Sequence, residues 1–312
     1  MHFMRGTLPR NYHSGAWNMN KLRLNRSGPY LVMVPGVILL LLFSIYPFLF
    51  LLKISFQKYS PIGKTQPYVG FDNYITLFQD HNFWNAIKVT AVFVVSTVSL
   101  EFIIGLALAV ILNQLRFGER LFQSLILIPI AMAPTVVGLM FRFMMNDQYG
   151  VLNYFSELFG FGRNAWLSNP DKALTAIIIT DVWQWTPFMM IILLAGLKGI
   201  SDEPYEAASI DGASAWQTFW YVTIPQLSKI IYIALLLRTI DAFRIYDTIY
   251  MMTKGGPVNV TSTLSWIVYD KGFKFLEFGY GAAICVVMLI VVVGLLTLLL
   301  KKFDVFEVEP RR

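Results

Sequence analysis

The sequence predicts an all-α integral membrane protein: six transmembrane helices with a polar, cytoplasmic two-helix loop between two of them. Three observations predict it. Of 312 residues, 56% are hydrophobic and only 14% charged, against about a quarter charged in an ordinary soluble domain. Apolar windows long enough to cross a hydrocarbon core of about 30 Å recur along the chain. Lysines and arginines flank those windows instead of gathering in one patch with interleaved aromatics, so the net charge of +6 points to orientation signals and not to nucleic acid.

The windows are 30–54, 87–112, 121–145, 174–197, 230–252 and 279–300. At 1.5 Å per residue each can span the core. Pro129 and Pro134 in the third and Pro187 in the fourth are tolerated where neighbours satisfy the freed backbone groups. The chain then divides into a cytoplasmic tail (1–29), a six-helix membrane domain (30–302, with the polar loop at about 200–228) and a second cytoplasmic tail (303–312). No small-residue cleavage motif follows the first window, which reads as retained. With the N-terminus inside, thirteen Lys and Arg lie on the inner side, among them Arg5, Arg10, Arg116, Arg120 and Lys198. Seven lie outside: Lys58, Lys64, Arg163, Lys172, Lys254, Lys271 and Lys274. Lys53, Lys88 and Arg142 sit at outer span ends. The bias puts both termini in the cytoplasm.

Hydrolytic and metal chemistry find no support. His2, His13 and His81 all lie outside the windows without ligand spacing, so no metal site is expected. Cys285 is the single cysteine and lies within an apolar run, so no disulfide is available within the chain.

The polar loop carries "SDEPYEAASIDGASAWQTFWYVTIP". Ser201 or Asp202 can cap a helix whose first turn holds acids and Pro204. Gly212 ends it. A second helix places Trp216, Phe219 and Trp220 on one face, and Pro225 closes the segment. Either a tryptophan-anchored interfacial hairpin or a docking surface for another protein fits these features.

Ionisable groups inside spans mark pathways or buried pairs. The fifth window has Arg238, Asp241, Arg244 and Asp247 at three-residue intervals, and the fourth has Asp181, Trp183, Gln184 and Trp185. Carboxylate, guanidinium and indole together can hold a sugar by hydrogen bonds and ring stacking. Alternating charges three apart can equally form a self-neutralising structural seam, and both readings stand open for Arg238 and Asp241. Glu101 in the second window reads as a buried polar contact.

"EAASIDGA", Phe219 and "IP" at residues 224–225 resemble the EAA loop of membrane subunits in binding-protein-dependent ATP-binding-cassette importers. "YVGFDNYITLFQDHNFWNAI", "IPIAMAPTVVGLMFRFMMNDQYGVLN", "DVWQWTPF" and "TKGGP" resemble the carbohydrate branch, especially the first permease subunit of maltose-type and glycerol-phosphate-type systems. The resemblance covers roughly residues 30 to 300. Val222 and Ile224 depart from it by apolar swaps. It implies a permease subunit of the bacterial or archaeal cytoplasmic membrane, itself no enzyme, forming half of a pathway for a carbohydrate. The partners it implies are a second permease subunit, two ATPase subunits, an extracytoplasmic sugar-binding protein and membrane lipid, with no nucleic acid.

It further implies that Glu206, Ala207, Ala208, Asp211, Gly212 and Pro225 dock on an ATPase. Asp181, Trp183, Arg238 and Ala242 fall where related sugar permeases line their pocket, with Trp185 and Asp241 beside them. No GxxxxGK[ST] motif occurs in this chain, so ATP and Mg²⁺ belong to the partner ATPases and no cofactor is expected here. The competing class is an ion-coupled secondary transporter using the intramembrane Asp and Arg set. Against it stand the modest span count and the lack of an inverted repeat.

Overall fold

A computed structural model describes residues 28–63, 66–115 and 117–303. Across them the chain is helical, with one isolated antiparallel bridge between Gln57 and Tyr68. Residues 1–27 and 304–312 of the expected tails, with Lys64, Arg116 and the side chain of Lys302, lie outside the described residues.

The chain divides after Phe50 into two units. The first contains most of α1 (Gly28–Ser55), whose residues 33–50 are all exposed. A helix apolar on every side belongs among lipid tails or other apolar partners.

The second unit is built on α3 (His81–Gln114), α7 (Pro170–Lys198), α10 (Ile224–Ala242) and α13 (Phe278–Phe303). Side-chain caps start two of them. The Asp80 carboxylate accepts from the Asn82 N–H, and the Asn169 amide oxygen accepts from the Asp171 N–H, each at 2.8 Å. α3 and α7 approach closely at Gly105, where a Cβ would lie 2.9 Å from Met189 Cβ. Around that crossing Ala109, Leu112, Met190, Leu193 and Leu227 form one apolar core. A second core joins Phe83, Phe93, Phe141, Ile177, Ile249 and Trp266.

Five helices among the described residues are long and apolar enough to cross a bilayer: Met33–Ser55, His81–Gln114, Pro170–Lys198, Ala215–Ala242 and Phe278–Lys301. Four of them match expected windows. The other two windows differ from the uninterrupted helices expected, and each has a physical reason.

The window 121–145 is three pieces: α4 (Glu119–Ile126), a 3-10 turn at Pro129–Ala131 and α5 (Pro134–Met144). Two prolines five residues apart remove two donors and crowd the preceding turn. Gln184 Nε2 donates to the Met132 carbonyl at 3.0 Å, satisfying a backbone group that the break frees.

The window 230–252 breaks at 243–246, between α10 and α11 (Asp247–Met252). No Gly or Pro marks the spot. The hydroxyl of Ser265 donates to the Phe243 carbonyl at 2.9 Å, and that of Thr263 to the Ile245 carbonyl at 3.4 Å. Groups near the start of α12 (Leu264–Tyr269) thus take over bonds the helix gives up.

The polar loop folds as expected up to its end. α8 (Glu203–Ile210) has Pro204 in its first turn, although Asp202 stands at the N-cap without a side-chain bond. Gly212 takes φ +74°, and the Ala213 N–H reaches the Ala208 carbonyl at 2.9 Å, a Schellman-type stop. Ser214 and Gln217 form a capping box that starts α9 (Ala215–Thr218).

Pro225 does not close the segment, contrary to expectation. A π turn at Phe219–Thr223 carries α9 straight into α10. The Ile224 N–H bonds the Phe219 carbonyl five residues back, and this wider turn makes room for the proline ring.

Candidate functional site

Three helices bring charge to one place. Counted from the first residues of α3, α7 and α10, Glu101, Asp181 and Arg238 lie about 30, 16 and 21 Å along their helices. The Arg238 Nε donates to Glu101 Oε2 at 2.6 Å, and Nη2 donates to Glu101 Oε1 at 2.9 Å and also to Asp181. Nη1 donates to Asp241 Oδ2 at 3.0 Å. A guanidinium carries five N–H groups, and four are in use here. The Trp185 ring lies 5.2 Å from the guanidinium carbon, a cation–π distance.

Arg238 and Glu101 are essentially sealed from solvent, whereas the Asp241 side chain is 40% exposed. Glu101 is therefore a buried contact, as expected. The sequence did not show that it holds Arg238 with both oxygens.

A cavity of about 270 Å³ opens beside the cluster. Asp181, Trp185, Arg238, Asp241 and Ala242 line it, joined by Arg244 and Tyr246 of the helix break and by Asp247 at the start of α11. Five of the six expected pocket residues are thus brought together. Trp183 is not. Two positions from Asp181 and from Trp185, it points to the other side of α7. There it meets the Phe141 ring at 5.3 Å and lines an apolar groove with Leu100, Ile104 and Pro129.

Gln184 sits between the two faces. It is buried, and its Oε1 has no partner among the described residues. A larger cavity, about 780 Å³, lies away from all of these, between α2 (Asp72–Gln79) and the start of α13, where Tyr280 donates to Asp80 at 2.9 Å.

The elbow residues stand apart from the cavity. Glu206, Ala207, Asp211, Gly212 and Pro225 are exposed, and Ala208 is half-buried. From Ala215 to Ala242 the chain is one continuous helix, so elbow and cluster are joined by a rod about 35 Å long between Ala215 and Arg238. Tyr205 of α8 is fastened to that rod, its hydroxyl donating to Thr223 Oγ1 at 3.3 Å.

Keeping a charged, open cavity deep among apolar helices is energetically unfavourable, which marks it as the candidate path for a polar solute. The protein is a multi-pass membrane transport component. Comparison with known proteins agrees. Residues 101–304 match the family described as binding-protein-dependent transport system inner membrane component.

The trehalose/maltose transport system permease protein MalF of Thermococcus litoralis is 36% identical over 272 residues, 87% of this chain and 92% of that protein. The sulfoquinovosyl glycerol transport system permease protein SmoG of Agrobacterium fabrum is 36% identical over 259 residues, 83% of this chain and 84% of that protein. Among solved structures, a bacterial alginate ABC transporter in complex with an alginate pentasaccharide-bound periplasmic protein superposes with TM-score 0.77 at 22% identity, covering 87% of this chain and 92% of that one. At that identity the likeness speaks for the fold. The chain belongs to the binding-protein-dependent transport system inner membrane components, which sets aside the ion-coupled alternative.

Proposed function

We propose that this chain is a permease subunit of an ATP-binding-cassette carbohydrate importer and forms half of its translocation pathway. One observation carries the reading: a solvent-exposed elbow, α8 with the Gly212 bend, leads into a continuous helix that ends at the buried Arg238 cluster beside a charged cavity. The names of the relatives, trehalose/maltose and sulfoquinovosyl glycerol systems, support a carbohydrate cargo. In this reading a second permease completes the pathway and two ATPase subunits, which carry ATP and Mg²⁺, each receive one elbow. An extracytoplasmic sugar-binding protein delivers cargo at the opposite end. Both termini lie in the cytoplasm, in line with the Lys and Arg bias.

Closure of the ATPases displaces α8, and Tyr205 with the π turn passes the displacement to α10. Arg238 then shifts against Glu101 and Asp181, which are anchored on other helices. The cluster acts as a latch whose charges must re-pair as the cavity changes its access.

The test is transport in proteoliposomes by this chain assembled with a second permease and two ATPase subunits, with a panel of sugars and a sugar-binding protein. Cargo-stimulated ATP hydrolysis that depends on this subunit is expected. Uptake by this chain without any ATPase would overturn the reading.

A further inference from the structure

We infer that the cavity selects neutral, hydroxyl-rich cargo against anionic cargo, and that Arg244, not Arg238, is the guanidinium that meets it. The inference rests on the carbohydrate reading above and narrows it. Relatives and structural neighbours do not decide the matter, since alginate is an acidic polysaccharide whereas trehalose and maltose are neutral.

Arg238 looks like the anion-binding group in the sequence, but the structure removes it from that role. Four of its five donors are committed to Glu101, Asp181 and Asp241, and its side chain is 1% exposed. Arg244 lies in the helix break, is exposed, lines the cavity and takes no part in the cluster's ion pairs. It does not stand free of acids, however. Asp241 and Asp247 lie three residues to either side of it, and both line the same cavity.

With Asp181 also lining the cavity and Glu101 behind it, four carboxylates face two guanidinium groups. An incoming carboxylate or phosphate therefore gains one cation and meets several like charges. A sugar hydroxyl both donates and accepts, so a pair of hydroxyls can accept from Arg244 while donating to Asp241 or Asp247. A donor fork between two acceptors suits a neutral diol and repels an anion.

The experiment uses the assembled importer in nanodiscs without its binding protein, and reads the fluorescence of Trp185 in the cavity wall. Trp185→Phe identifies the signal. Matched pairs are titrated: glucose and glucuronate, trehalose and trehalose 6-phosphate, maltose and maltose 6′-phosphate. At least one neutral member should bind about tenfold or more tightly than its anionic counterpart. Arg244→Gln should weaken that neutral sugar about tenfold, the loss expected for a charge-assisted hydrogen bond. The double variant Asp241→Asn, Asp247→Asn should narrow the gap within the pair to about threefold. Glucuronate or a sugar phosphate binding the unaltered protein as tightly as its neutral partner overturns the inference, as does an Arg244→Gln protein with unchanged sugar affinity. If no sugar of either kind binds, the carbohydrate reading itself falls, and the selectivity with it.

Discussion

Replacing Arg238 with methionine tests the buried cluster at its centre. The change deletes four hydrogen bonds and leaves Glu101 and Asp181, 0% and 5% exposed, facing each other without a cation. Removing one partner of a buried ion pair destabilises by about 3–5 kcal/mol. Losing one charged hydrogen bond to cargo would account for about 1.5–3 kcal/mol. Arg238→Met should therefore lower the stability of the folded protein, and not cargo affinity alone. In a thermal assay that follows monodisperse protein after heating in detergent, the midpoint should fall by at least about 6 °C.

The partner sets the pattern of rescue. Adding Glu101→Met should recover part of the midpoint, and adding Asp181→Leu as well should recover most of it, since apolar replacement of a buried ionic group is often neutral. Adding Asp241→Asn instead should recover little, because that carboxylate is 40% exposed and water solvates it. An Arg238→Met protein as stable as the unaltered one would refute the reasoning, and so would rescue by Asp241→Asn in place of Glu101→Met.

Other expectations follow from single contacts. Gly212→Pro cannot adopt φ +74°, so it should abolish cargo-stimulated ATPase activity while membrane insertion, measured by fractionation, is unchanged. Gly105→Val drives a side chain into Met189 and the Met190 N–H, the nearest atoms lying 2.9 to 3.0 Å from a Cβ. Overpacking of about 1–3 kcal/mol should appear as a lower thermal midpoint. Ser265→Ala leaves the Phe243 carbonyl without its donor and should destabilise by about 1–3 kcal/mol, with faster hydrogen exchange at residues 243–247. Trp185→Ala removes the ring beside Arg238 and should impair uptake, whereas Trp183→Ala, facing the apolar groove, should leave cargo affinity within about threefold.

Hydropathy and local signals alone determined most of the architecture. A window of apolar residues has one low-energy option in lipid, a helix that satisfies its own backbone, so four spans were legible to within a few residues at most ends. The elbow was legible for a similar reason. Proline in a first turn and a glycine that takes positive φ act within a few residues of themselves, and α8 and the Gly212 bend follow from them; α9 was legible from its apolar face, whereas the Ser214–Gln217 box that starts it was seen only in the structure. The residues of the charge cluster could be named because ionised groups in an apolar span stand out against their surroundings.

Tertiary structure decided the rest. Nothing local in 243–246 forbids a helix; the break exists because the hydroxyls of Ser265 and Thr263, some twenty residues away, donate to its carbonyls. Helix periodicity put Trp183 on the opposite face from Asp181, but which face meets the cavity depended on where α10 packs. The continuation of α9 through Pro225 depended on a π turn that no proline rule announces. Above all, a charge pattern three residues apart on one helix left open whether Arg238 pairs with Asp241 or meets cargo, and Arg238 does form that pair. Its firmer hold is on Glu101, 137 positions earlier in the chain, because a guanidinium buried between helices takes the carboxylates that packing removes from water, and sequence spacing carries no information about those.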